Sequence, residues 1–363
     1  SLVSDEKLSE MSDKIAATIN EKYPKDHTVT VEEVQDLVEL TLIDENYYRE
    51  VKSFILYRAK HNMDRKVMTD FEQYISDKEI LDIISKVQNE FDNQRYPIDS
   101  LYLKFESFTK ANMTDDELLK ALTRAASELT SKETPDWEII AARFLMYEID
   151  REIKRNEERY DIVDFKSKID YLTNAGLYGA YIKENYSPED FDELESYLKK
   201  ERDDLFTYSG LDLVKKRYLI RTFTGDIIES VQEMFMGIAM HLAIPEKDSV
   251  AFAKRLYDIL STLKATMATP TMTNARKPFN QLSSCFIDTV PDTLKGIYRS
   301  ITNFAEVSKH GGGMGLYFGK VRANGSDIRG FEGVAGGVIR WIRLANDTAV
   351  AVCLLYTSPS QRD

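Results

Sequence analysis

Ala265-Thr266-Met267-Ala268-Thr269-Pro270-Thr271-Met272 is the point at which this chain changes character. Upstream, from Glu6 to about Ala268, Glu, Lys, Leu and Ile recur with few glycines, so helix after helix is expected. Downstream, short β-branched or apolar runs are punctuated by Gly311 to Gly313, Gly325-Ser326-Asp327 and Gly336-Gly337, which suits alternating strands and helices. The residues thus predict a mainly α region followed by an α/β segment, with a boundary near Ala268.

Within the second segment, Ala265 to Met272 reads as a short extended run with Pro270 at its edge. Ser283-Ser284-Cys285-Phe286-Ile287-Asp288 reads as a strand carrying a thiol. Asp292 can cap a helix whose apolar face is Leu294, Ile297, Tyr298, Ile301, Ala305 and Ser308. That helix ends at Lys309-His310 and is stopped by Gly311-Gly312-Gly313. Leu316-Tyr317-Phe318 then makes a strand, and Lys320-Val321-Arg322 leads into a turn.

Working back toward the N-terminus, Thr30-Val31-Glu32-Glu33 and Thr114-Asp115-Asp116-Glu117 both have capping-box spacing. Each opens an amphipathic helix, with stripes Val34, Leu37, Val38, Leu42 and Leu118, Ala121, Leu122, Ala125, Leu129. Each is followed by a similar apolar run, Phe54-Ile55-Leu56-Tyr57 and Phe144-Leu145-Met146-Tyr147, so a small helical module used twice is expected. Ser187-Pro188-Glu189-Asp190 signals one further helix start.

Composition excludes several classes. At 363 residues the chain has room for two to three domains. No apolar run approaches the roughly 18 residues of a membrane span, and the polar, acidic stretch Ser1 to Asp13 is unlike an export signal, so a cytoplasmic setting is expected. A formal charge of −13 argues against non-specific nucleic-acid binding but leaves phosphorylated small ligands open. Two cysteines make no disulfide framework, and the four histidines have no metal-ligand spacing, so no metal site is expected.

The helix and strands just described bring Asp292, Lys309, Arg322 and Arg329 into one neighbourhood, where cations and loop amides could meet phosphates and the acid a sugar hydroxyl. On spacing alone two readings stay open: a nucleotide pocket, or an ordinary glycine turn with Lys309 closing a helix dipole. Cys285 is likewise either a small apolar strand residue or a reagent.

Four motifs resemble the ribonucleotide reductase large subunit: Ala268-Thr269-Pro270-Thr271, Gln281-Leu282-Ser283-Ser284-Cys285-Phe286, Ser308 to Gly315 and Val321 to Gly330. Phe206 to Leu211, Lys216 to Leu219 and Ser131 to Tyr147 resemble the family's helical domain, and Thr28 to Arg58 is similar to the latter half of an ATP-cone. The resemblance implies a partial ATP-cone-like module over 1–66, a second cone-like module over 67–155, a helical domain over 156–268 and, over 269–352, the opening of a ten-stranded α/β barrel. It implies that Cys285 is one of two thiols reducing the ribose 2′ carbon, and that Thr269, Ser284 and Gly313 touch the substrate nucleotide. Asp292, Thr293, Leu294, Lys309, Arg322, Arg329 and Gly330 would form an allosteric specificity site for ATP or deoxynucleotide effectors.

It further implies a small radical-generating metal-containing partner subunit, a homodimer of large subunits, and thioredoxin or glutaredoxin as reductant. No cofactor is expected in this chain itself. The family's Asn-x-Cys-x-Glu loop and second redox cysteine do not occur, so the chain alone is expected to be inactive. His310 stands where the family has a smaller residue, and the cone-like segment lacks the family's basic, glycine-bearing strand turn. The register stops at Val352, and Cys353 to Asp363 is expected to be a non-native tail in which Cys353 is no partner for Cys285. The competing reading is a non-catalytic nucleotide sensor built from tandem cone-like modules; the motifs from Thr269 to Gly330 argue against it, since a sensor has no use for a redox thiol.

Overall fold

The structure is a computed structural model that describes residues 5–24, 28–92 and 94–356, with the side chains of 5, 60–65 and 353–356 outside that description. The tail expected over 353–363 therefore lies outside the described residues, apart from the helical backbone of 353–356. The chain divides into two compact units, Ser1–Ala141 and Ala142–Asp363.

The first unit is helical: α1 (Asp5–Lys22), α2 (Val31–Asp44), α3 (Tyr48–Glu72), α4 (Lys78–Glu90), α5 (Ile98–Glu106) and α6 (Asp115–Glu128). Both capping boxes form. Glu33 N–H donates to Thr30 Oγ1 at 3.2 Å while Thr30 N–H donates to Glu33 Oε2 at 2.8 Å, and Thr114 and Glu117 repeat the exchange at 3.3 and 2.8 Å. The two expected modules differ in packing. Leu118, Ala121, Leu122 and Ala125 of α6 are buried, whereas of the matching stripe on α2 only Leu37 is. Ile55, Leu56 and Tyr57 are exposed, whereas Phe144, Leu145 and Met146 are buried. The local pattern starts the same helices, but neighbouring elements decide which face is covered.

Helix α7 (Trp137–Arg159) begins in the first unit and runs on into the second, which continues through α8 (Phe165–Asn174), α9 (Ala180–Asn185), α10 (Pro188–Ser196), α11 (Tyr208–Arg217), α12 (Val231–Ala243), α13 (Ser249–Ser261) and α14 (Thr269–Asn274). Helix α12 is buried over most of its length, so it forms the centre of this core and packs along α13. Then follow β1 (Cys285–Thr289), α15 (Leu294–Lys309), β2 (Gly313–Tyr317) and α16 (Ile339–Tyr356). The two strands pair in parallel with Cys285 opposite Gly313 and Thr289 opposite Tyr317, as a β-α-β crossover requires. Val290, Ile297 and Ile301 form a small core beneath them with Leu316, Phe318 and Trp341.

Three expectations are corrected. The run at Thr269 is a short helix, because Pro270 sits in its first turn, where a fixed φ and a missing N–H do no harm. The second strand begins at Gly313 rather than Leu316, since Gly313 N–H already donates to Ser284 O at 2.7 Å. The cap of α15 is Thr293, whose hydroxyl accepts from Gly296 N–H at 3.1 Å, and Asp292 is engaged elsewhere.

Candidate functional site

Two neighbourhoods collect the sequence-selected residues. The first surrounds Cys285, which is exposed at the start of β1. Alternation along a strand puts Cys285, Ile287 and Thr289 on one face with Gly313, Gly315 and Tyr317 of β2, and all six are exposed. The register partner of Cys285, Gly313, has no side chain, so the surface over β2 beside the sulfur is bare backbone. Ser284 Oγ lies 3.5 Å from Cys285 Sγ. Gly312 is closed to any larger residue: a Cβ there would meet the Phe286 ring at 2.9 Å.

Thr269 opens α14 and its hydroxyl lies 3.3 Å from Tyr218 OH. The same helix is tied to the strand lead-in by Thr271 Oγ1 to Leu282 O (3.3 Å) and by Asn274 Nδ2 to Gln281 O (2.9 Å). Behind it lies a buried ion pair that spacing could not reveal. Arg276 donates to Glu229 through Nε (2.6 Å) and Nη2 (2.5 Å), and neither residue touches solvent. Tyr178 OH and Ile220 N–H also donate to that carboxylate, and Arg276 Nη1 holds Met272 O at 2.8 Å. Burial disfavours the guanidinium charge, but Glu229 outweighs it and raises the arginine pKa; burial and the same carboxylate push Tyr178 far up. This network fixes α14, and with it Thr269. Next to it, burial and the Arg276 charge bring Lys277 down to about 8.

The second neighbourhood is a cleft of about 530 Å³ whose lining includes Asp292, Thr293, Leu294, Arg322 and Arg329. Asp292 Oδ2 accepts from Arg322 Nε at 2.8 Å, Asp292 Oδ1 accepts from Arg322 N–H at 3.2 Å, and Arg322 Nη1 reaches Asp327 O at 3.2 Å. The acid thus clamps the arginine across the cleft mouth. Arg329 and Gly330 have φ of +52° and +84°, and Ile328 and Phe331 exchange backbone hydrogen bonds across them, a tight turn that needs the glycine. Gly330 makes that turn but does not line the cleft, and Ile328 and Trp341, which the sequence reading did not select, do line it.

Lys309 is not in this cleft. It ends the 16-residue helix that Leu294 begins, about 22 Å away along the axis at ~1.5 Å per residue, so the expectation that it shares a neighbourhood with Asp292 fails on helix geometry. Beside it, His310 stacks on Phe279 with centroids 4.0 Å apart, and burial plus the Lys309 charge lower its pKa.

In the first unit, α1, α2 and α3 line a groove of about 890 Å³ whose one cation among the described residues is Arg49. Lys14 and Arg58 are bound to carboxylates. Among the described residues no cluster of three or more metal-ligating side chains occurs, and no helix is long and apolar enough to cross a membrane.

Three family profiles match this chain in order: the ATP cone domain over residues 2–63, the all-alpha domain of ribonucleotide reductase over 204–280, and its barrel domain over 283–354. These define a nucleotide-reductase class of protein. Among curated relatives, the ribonucleoside-diphosphate reductase subunit alpha of Treponema pallidum (strain Nichols) is 51% identical over 325 residues, 89% of this chain and 38% of that protein. The subunit alpha of Helicobacter pylori (strain ATCC 700392 / 26695) is 36% identical over 68% of this chain and 30% of its own length, and that of Chlamydia pneumoniae is 33% identical over 90% and 33%. The chain belongs to the family of ribonucleotide reductase large subunits. It spans about a third of the length of the curated relatives it matches.

Proposed function

We propose that this chain forms one wall of the substrate site and the effector cleft of a ribonucleoside-diphosphate reductase, which reduces ribonucleotides to deoxyribonucleotides by a radical mechanism. The observation that carries this reading is the exposed Cys285 thiol standing opposite the side-chain-free Gly313. A flat nucleoside can lie over the glycine with its ribose against the sulfur. Ser284 beside the thiol and Thr269 at the start of α14 supply hydroxyls for the substrate.

Reduction at C2′ consumes two electrons and two protons, expels the 2′ oxygen as water and leaves a disulfide to which Cys285 contributes one sulfur. A thioredoxin or glutaredoxin restores the dithiol, and a small metal-containing subunit supplies the radical to a homodimer of large subunits. The Asp292 cleft takes a deoxynucleotide or ATP as effector, with Arg322 and Arg329 meeting phosphate and the clamp on Arg322 as the element that binding rearranges. The cone-like modules over 1–66 and 67–155 would carry regulation.

The test is a single turnover of the protein that carries this chain, run without external reductant and followed by peptide mass spectrometry. Cys285 recovered in a disulfide in proportion to product supports the reading. Product formed while Cys285 stays a free thiol contradicts it.

A further inference from the structure

The Thr269 hydroxyl has one neighbour of its own kind: its Oγ1 lies 3.3 Å from Tyr218 OH, across a sequence separation of 51. Neither hydroxyl has another hydrogen bond among the described residues, and Thr269 is exposed, so the pair lies open to a ligand.

Both residues hang on one buried frame. Tyr218 caps the C-terminal end of α11, where its N–H donates to Val214 O at 2.9 Å and its carbonyl accepts from Arg276 Nη2 at 2.8 Å. Just beyond it, Ile220 N–H donates to Glu229, the acid that pairs with Arg276. The same guanidinium holds Met272 O of α14, the helix that Thr269 opens. The Tyr218 ring is half-buried against the core of the second unit, which leaves the phenol little freedom. An ion pair without solvent contact thus holds two hydroxyls from distant parts of the chain at one separation.

The direction of the bond between them follows from their chemistry. A phenol is a stronger proton donor than an aliphatic hydroxyl, so Tyr218 donates to Thr269. The threonine proton then points away from the phenol, toward an acceptor oxygen that a ligand brings. A hydroxyl that accepts one hydrogen bond is the better donor for the next. The branched Thr269 side chain has few χ1 choices, and the bond to Tyr218 selects the one that aims this proton.

We propose that Tyr218 is a positioning residue for the substrate: its hydroxyl orients and polarises the Thr269 hydroxyl, which donates to an oxygen of the bound nucleotide. The proposal rests on the reading that Thr269 meets the substrate, and in it Tyr218 acts through Thr269 alone.

A double-mutant cycle on the protein that carries this chain tests it. A ribonucleoside diphosphate is titrated calorimetrically, and KM and kcat for the proposed reduction are measured with a radical-generating small subunit supplied. Tyr218→Phe keeps the packed ring and removes only the hydroxyl. It is expected to weaken binding by about fivefold and to raise KM more than it lowers kcat, with an unchanged melting temperature. Thr269→Ala is expected to cost about tenfold, and the double variant no more than Thr269→Ala, because Tyr218 then has nothing left to orient. Additive losses, about fiftyfold in the double variant, would mean that Tyr218 acts on the ligand or the fold directly, and would overturn the proposal. So would a Tyr218→Phe variant that binds like the unaltered protein while Thr269→Ala is weakened. Unchanged binding by Thr269→Ala, or no binding by the unaltered protein, overturns the substrate reading itself and the proposal with it.

Discussion

Replacing Glu229 by Ala removes the carboxylate that faces the Arg276 guanidinium, which has no solvent contact. Arg276 Nε, Tyr178 OH and Ile220 N–H lose this acceptor at once, and Arg276 Nη2 keeps only Tyr218 O. An uncompensated buried charge of this kind costs about 3–5 kcal/mol. At about 2–4 °C per kcal/mol for a unit of some 150–250 residues, the melting temperature of the second unit should fall by roughly 6–20 °C. Differential scanning calorimetry reads this directly, with Glu229→Met/Arg276→Met as the companion. Removing both charges leaves the carbonyls of Met272 and Tyr218 and the Tyr178 hydroxyl without this partner but strands no ion, so the double variant should be milder than the single one. A single variant losing under about 1 kcal/mol, or a double variant worse than the single, would refute the reasoning.

Gly313→Val should fold, since a Cβ at that position meets nothing closer than Ser284 O at 3.6 Å, yet it fills the bare surface beside Cys285; steady-state kinetics should show a raised KM with a melting temperature close to the unaltered protein's. Thr293→Ala removes the hydroxyl that accepts from Gly296 N–H and should cost about 1 kcal/mol in urea titration, whereas Asp292→Ala should leave the helix start intact and weaken effector binding. Lys277 releases its proton near pH 8 in the folded chain and near 10.5 unfolded, so between those values the unfolded state binds more protons and this residue's unfavourable contribution is relieved as pH rises; competitive acetylation should give Lys277 a midpoint near 8, and a midpoint near 10.5 would contradict its burial.

How much of this was legible in the sequence depends on how local each cause is. Thr30 with Glu33 and Thr114 with Glu117 act over one helical turn, and both boxes form as read. Pro270 is ambiguous locally, because the missing N–H that suits a strand edge suits a helix start equally, and the helix is what forms. Asp292 and Thr293 are adjacent capping residues, and the choice between them was made by Arg322, thirty positions downstream. Lys309 looked close to Asp292 only because sequence distance was read without the length of the intervening helix. Glu229 and Arg276 carry no local sign of burial at all: their pairing over 47 residues depends on Gly237 being small enough to admit them, since a Cβ there would stand 2.5 Å from Tyr178 OH and 2.8 Å from Arg276 Cδ.

The most direct test of the central claim is to assay the protein that carries this chain for the proposed reduction, with a radical-generating small subunit supplied, across a set of deoxynucleotide effectors. Cys285→Ser is expected to abolish reduction while nucleotides still bind, and Arg322→Gln to preserve reduction while flattening the dependence of substrate choice on effector. Undiminished reduction by the serine variant, or an unchanged effector response in the glutamine variant, would contradict the assignment of the thiol or of the cleft respectively.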